Sequence, residues 1–335
     1  MTEPQTQERT DVTPEITNNI SSQVVENSQS YQFKHVHRGP DPVIESFFVG
    51  LENNSQTQQF DEFSQTQPNE EDEATWPVYD KDSYESHHMF AENYMKTMRK
   101  LQLAYPKKPL TAISPETYKS HIYGLIRIAA AHGICLRALF LSISIFNQYF
   151  TKNRSLAPEE LETYGIAALI IGAKIDNTNY PHSIVYEGSN EDLQEAETRI
   201  IKDFGFKISE SSPLVFLKFW MNEIQADFKL VMSSLFVSMC SMIIGDLVKY
   251  EDEAVGVACL CLALSANGMH PIEYSELSEP IKLYGGEKLT RIMNAIVEAI
   301  KEVKSDSESP IARVFANSVR GEALALTYAV PDMRY

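Results

Sequence analysis

The sequence predicts an all-α protein built as two similar halves behind a polar, acidic tail. Three observations carry that expectation. Apolar residues recur at spacings of three and four from Ser83 onward, and no segment shows a sustained strand-like alternation. Two small-residue, almost wholly apolar stretches also lie about ninety residues apart, as an internal duplication would place them.

The chain has 335 residues and a net charge of −17, and 43% of its residues are hydrophobic. Residues 1–80 hold fifteen acids against three Lys and Arg, so the tail carries −12 and the body only −5. A mildly acidic body lacks the clustered cations that phosphate backbones require, and no nucleic-acid partner is expected. Residues 1–82 are rich in Gln, Asn, Ser and Thr, a composition that cannot bury enough apolar surface to offset ordering entropy. They are expected to be disordered. A short apolar cluster, Val43-Ile44 with Phe47-Phe48-Val49 and Leu51, interrupts them as a candidate docking peptide.

Ser83–Leu103 reads as an amphipathic helix, with Tyr84, His88, Ala91, Tyr94, Met95, Met98 and Leu101 on one face. Ser114-Pro115 then offers an N-cap followed by proline at the first helical position. The helix it opens places Ile122, Leu125, Ile126 and Ala129 inward and ends at His132-Gly133. Leu136 to Phe150 forms the next stripe. Leu161–Lys174 is apolar on most sides and rich in Gly and Ala, the kind of helix that others pack around. Asp192–Phe204 follows as an amphipathic helix. Beyond Pro213 come helices over Leu214–Glu223 and Phe228–Val248, a second small-residue helix over Glu253–Ala266, and a closing helix over Glu287–Val303.

Chemistry is sparse. Gly285-Gly286 lacks the pattern of a phosphate loop, and the pairs His35/His37 and His87/His88 have no converging acid or cysteine. Cys259 and Cys261 would point about 200° apart on a helix, so zinc ligation is not expected and all four cysteines read as buried thiols. No cofactor or metal is expected. No apolar run reaches the roughly 18 residues that span a bilayer, and no membrane partner is expected. Candidate phosphorylation positions are Ser or Thr before Gln, which recurs at Thr6, Ser22, Ser28, Ser55, Thr57, Ser64 and Thr66. Thr13 and Ser309 precede proline; Ser309 reads as part of a loop after the last helix.

From Ser83 to Pro331 this organisation resembles the cyclin family. The resemblance rests on Ile170-Ile171-Gly172-Ala173-Lys174-Ile175-Asp176, on Glu195 to Phe206, on Pro213 with Phe216 and Leu217, and on Tyr250 with Glu253 to Ala258. It implies an N-terminal helix and first five-helix box over 83–212, a second cyclin-like box over 213–325, and a terminal segment over 326–335. The layout is similar to that of A- and B-type cell-cycle cyclins. It also implies a non-catalytic subunit that binds and activates a cyclin-dependent serine/threonine protein kinase, acting in the nucleus or cytoplasm. Lys174 and Glu197 would form the polar pair that receives the kinase, with Ile171, Ile175, Ile201, Phe206 and Ile208 as the apolar part. Tail contacts to substrates or degradation machinery would be a second kind of partnership.

The sequence departs from the family at Thr117, Tyr118 and Asn147, where an internal Arg–Asp pair is usual. It departs again at Ser120, His121, Gly124 and Glu162, which replace the groove that docks substrate peptides. Three rival readings are a cyclin-fold transcription or scaffold protein with no kinase, an all-α enzyme of unrecognised site, and a cyclin that serves transcription or metabolism instead of division.

Overall fold

The computed structural model describes residues 93–103, 107–111, 113–152, 160–176, 189–208, 211–316 and 321–333. The expected tail and the first part of the Ser83–Leu103 helix lie outside them. The chain separates into Met1–Gly39 and Pro40–Tyr335, and every described residue belongs to the second unit. Among the described residues all regular structure is helical.

The opening helix, α1, is described over 93–103 and turns Met95 and Met98 onto Phe216. Ser114 caps α2 (Pro115–Ala131): its Oγ accepts the Thr117 N–H at 3.1 Å, and Pro115 occupies a position whose N–H would be unpaired anyway. Next come α3 (Leu136–Lys152) and α4 (Glu160–Ile175), the latter burying Leu161 and every residue from Tyr164 to Ala173. A Cβ at Gly172 would sit 2.7 Å from the Ala138 carbonyl oxygen, so only glycine lets α3 and α4 approach this closely. α5 (Asn190–Asp203) lays Leu193, Ala196 and Ile200 on α4.

A second group follows: α6 (Pro213–Glu223), α7 (Phe228–Met242), a 3₁₀ turn over Gly245–Lys249, α8 (Asp252–Ala266), α9 (Ser278–Tyr284) and α10 (Gly286–Ser305). Two short helices, α11 (Pro310–Val314) and α12 (Gly321–Ala325), complete it. α8 is buried from Asp252 to Leu264, and α6, α7 and α10 pack around it. One hydrophobic core runs without a break from Tyr118 to Met333.

Two expectations are corrected here. The helix expected over Phe228–Val248 ends at Met242. The Ser238 and Ser241 hydroxyls bond back to backbone carbonyls in its last turns, and a Cβ at Gly245 would lie 3.3 Å from the Tyr118 ring, so the chain turns to pass α2. Ser309 is not in an exposed loop. It is fully buried and opens α11, whose Ile311 and Val314, with the following Phe315, draw the segment into the core. Its hydroxyl is closed to a kinase in the folded chain.

The contact that anchors α1 has no counterpart in the local sequence pattern. Arg99 reaches the fully buried Glu253 with two bonds, Nε to Oε2 at 2.8 Å and a terminal nitrogen to Oε1 at 2.6 Å. The indole N–H of Trp220 and the hydroxyl of Tyr284 donate to the same carboxylate, at 3.2 and 2.8 Å. Beside it Lys107 pairs with Asp252 at 3.0 Å, and Ser211 donates to the other Asp252 oxygen. Charge-assisted bonds of this kind fix α1 against the N-terminus of α8.

Candidate functional site

The C-terminal end of α4 and the middle of α5 lie side by side, because α5 returns across α4 with its apolar face down. That places the Lys174 ammonium 2.5 Å from the Glu197 carboxylate. Lys174 is 47% exposed and Glu197 17%, so the pair sits at the surface with the carboxylate partly shielded. Just past Lys174, the buried Asp176 carboxylate ties down the helix end. Cys135 donates to it at 2.6 Å, and Arg137 forms an ion pair with it. Burial and that carboxylate push the Cys135 thiol up to about 11, so it holds its proton and acts as a donor. Close by, burial and the Arg137 cation push Lys218 down to about 8. The sequence pointed to Lys174 and Glu197 but not to this clamp.

α5 ends in a two-bond C-cap: Gly205 N–H donates to the Lys202 carbonyl and Phe206 N–H to that of Ile201. Gly205 has φ 57° and Phe206 φ 61°, a left-handed conformation that costs a bulky residue roughly 1–2 kcal/mol. In caps of this geometry the residue at the Phe206 position often folds back on the helix. Here Phe206 is instead 77% exposed. An outward aromatic held in strained backbone is a recurrent mark of a functional surface. Ile175 is also exposed, while Ile201 and Ile208 are half-buried around it. Ile171, which the resemblance placed on this surface, is buried in the core instead, because α4 is enclosed by its neighbours along its whole length from Tyr164 to Ala173. Replacing Phe206→Gly is expected to leave the denaturation midpoint unchanged or higher, because the strain is relieved, while binding through this face falls at least tenfold. Urea melts set beside a binding titration check both halves.

Towards the other end of α4, where the resemblance to cyclins implies an internal ion pair, this chain has a neutral pair. Asn147 donates its amide to the Tyr118 hydroxyl at 3.1 Å, with both side chains buried. A neutral bond stands where losing one charge alone would have stranded the other. On the same face Gly124 has open space around it, and Ser120 and Glu162 are exposed. His121 turns in against Gly165 and the Phe146 ring, 4.6 Å between centroids, with its Nε2 buried and unpartnered. Burial pushes His121 down to about 4.

Relative to an unfolded value near 6.5, the unfolded chain takes up this proton first as the pH falls. The stability that neutral His121 carries is therefore complete above about pH 6.5, and about 3 kcal/mol of it is lost as the pH drops through 4. His121→Met is expected to flatten the pH dependence of the urea midpoint across that window.

The remaining candidates separate cleanly. Thr13, Ser55, Thr57, Ser64 and Thr66 lie outside the described residues. All four cysteines are buried and free, and burial raises Cys259 and Cys261 to about 12. Among the described residues no His, Cys, Asp and Glu cluster could hold a metal ion, and no helix is long and apolar enough to cross a membrane.

Comparison with known proteins gives likenesses of sequence and of fold. Residues 85–209 match the family described as cyclin, N-terminal domain. Cyclin-B2-2 of Oryza sativa subsp. indica is 22% identical over 170 residues, covering 48% of this chain and 39% of the relative. The G2/mitotic-specific cyclin-B2 of Mesocricetus auratus is 22% identical over 191 residues, covering 55% of this chain and 47% of the relative. The match thus spans less than half of each curated relative. Among solved structures, a viral cyclin from herpesvirus saimiri superposes with a TM-score of 0.53 at 15% identity, covering 62% of this chain and 96% of that one. That last likeness speaks for the fold.

Proposed function

The chain is a member of the cyclin family, and on that premise we propose that it is a non-catalytic regulatory subunit that docks on a cyclin-dependent serine/threonine protein kinase and switches it on. The observation that carries this reading is the surface Lys174–Glu197 pair, with Ile175 exposed next to Lys174 in the chain and Phe206 exposed at the C-cap of the helix that carries Glu197. A rigid polar pair gives a partner's backbone groups something to bond to, and the apolar side chains next to it supply the area that dominates interface energy. The clamp on Asp176 and the C-cap of α5 hold both parts in place before the partner arrives, which lowers the ordering cost of docking.

Docking of this kind would reposition a regulatory helix and the activation segment of the kinase, so that its ion pair and metal sites assemble. Cell-cycle control is the setting we infer, from the one relative described as G2/mitotic-specific, with action in the nucleus or cytoplasm. Substrate selection would not use the usual docking groove, since Gly124, Ser120 and Glu162 offer it no aromatic floor. The test is affinity capture of the full chain from native extract followed by a phosphotransfer assay. Recovery of an active serine/threonine kinase is the expected result; recovery of no kinase would remove the function while leaving the fold intact.

A further inference from the structure

α1 precedes the first group of helices in the chain but seats on the second. Met95 and Met98 pack on Phe216, with the half-buried Val215 and Phe219 beside them, and Arg99 donates to Glu253 and Glu279. Gln102 adds a bond that α8 lacks on its own. Glu251 caps that helix with no side-chain bond, and the Gln102 Oε1 accepts the Glu253 N–H at 3.3 Å. One of the N–H groups left over at a helix start is thereby satisfied from another element.

α6 links this seat to the docking face. Just before it, Ser211 donates to Asp252 at 2.7 Å, and the Ser211 carbonyl accepts the Ser144 hydroxyl of α3 at 2.9 Å. Its first turn lies hard against α8, where a Cβ at Gly256 would sit 2.8 Å from the Pro213 carbonyl oxygen. Phe216 and Trp220, four residues apart, share the face of α6 that meets α1 and Glu253. Lys218, midway between them, points about 200° away from each. There it faces Arg137, Cys135 and Asp176, the cluster that ties down the end of α4. Cys135 is held from both sides, since its sulfur accepts the Ala138 N–H at 3.4 Å while donating to Asp176.

We propose that α1 is a strap that controls the docking face at a distance: seated, it holds α6 in place, and α6 in turn holds the Asp176 clamp beside Lys174; unseated, it lets the clamp loosen. The coupling rests on contacts within the free chain, and only the claim that the face docks a kinase rests on the reading above. Residues 1–80, with fifteen acids and three cations, precede α1, so a partner that grips that stretch loads the strap before any other element. An element with two positions, biased at one end and felt at the other, is what carries such a signal.

The test is amide hydrogen–deuterium exchange of the free full chain, which reads local opening segment by segment. Gln102→Ala and Met98→Ala are each expected to speed exchange at least fivefold at 95–103 and at 172–176, while 289–300 in α10 stays within twofold. Lys218→Met is expected to break the link: in that background the same two substitutions still act at 95–103 and no longer at 172–176. Lys119→Ala, which removes a bridge to Glu302 of α10 away from this path, is expected to leave both segments within twofold. Unchanged exchange at 172–176, equal acceleration of α10, or persistence of the coupling in the Lys218→Met chain each overturns the proposal. This readout needs no kinase, so a failure of coupling removes the strap alone, and a failure of kinase capture removes the docking reading alone.

Discussion

Lys174→Glu is expected to reduce kinase capture and kinase activation at least a hundredfold while leaving the fold unchanged. The ammonium is about half exposed and pairs at the surface, so its own contribution to folding is about 0–1 kcal/mol. At an interface the same charge becomes desolvated, and truncating one partner of such a pair costs about 2–5 kcal/mol. Reversal adds a like-charge contact with Glu197, 2.5 Å away in the native arrangement. The doubly reversed chain, Lys174→Glu with Glu197→Lys, restores the pair but inverts what the partner meets, and it is expected to remain deficient. Full recovery in that swap would mean that the pair serves folding alone. Far-UV circular dichroism and thermal melting of each variant, beside the phosphotransfer assay, separate the two.

The largest effect on stability is expected at Arg99→Ala. It strands the Glu253 carboxylate, whose side chain has no exposure to water, with only the Trp220 and Tyr284 donors left. Removing one member of a buried pair costs about 3–5 kcal/mol. The double variant Arg99→Met with Glu253→Leu is expected to recover part of that loss. The indole N–H of buried Trp220, left unpaired, holds back about 1–3 kcal/mol, and the half-buried Tyr284 hydroxyl keeps Gln102 as a neighbour. Guanidinium titrations at neutral pH measure both. The chain already contains a precedent, since Tyr118 and Asn147 replace a charged pair by a neutral one in its first helices.

What could be read from the sequence was what local pattern controls. The Ser114-Pro115 cap, the two wholly apolar helices and the neighbourhood of Lys174 and Glu197 follow from spacing along single helices and from the resemblance those residues carry. Long-range polar contacts do not leave such a trace. Arg99 and Glu253 are separated by 154 residues, and neither stands out in its own helix. Ile171 was carried onto the surface by the resemblance alone, and in α4, which is apolar on nearly every side, no local pattern of this chain could check it. Ser309 does lie in a turn after a long helix, but its burial was not legible, because a Ser-Pro step looks the same whether or not Phe315 and its neighbours draw the turn into the core. The exposure of Phe206 also needed the structure, since a phenylalanine closing an amphipathic helix reads equally well as core.

The most direct test of the account is hydrogen–deuterium exchange of the full chain, alone and bound to the kinase it captures. Slowed exchange confined mainly to residues 172–176 and 197–208, at the end of α4 and through the C-cap of α5, is the predicted result. Unchanged exchange there, with new protection on the α1, α6 and α9 face instead, would contradict it.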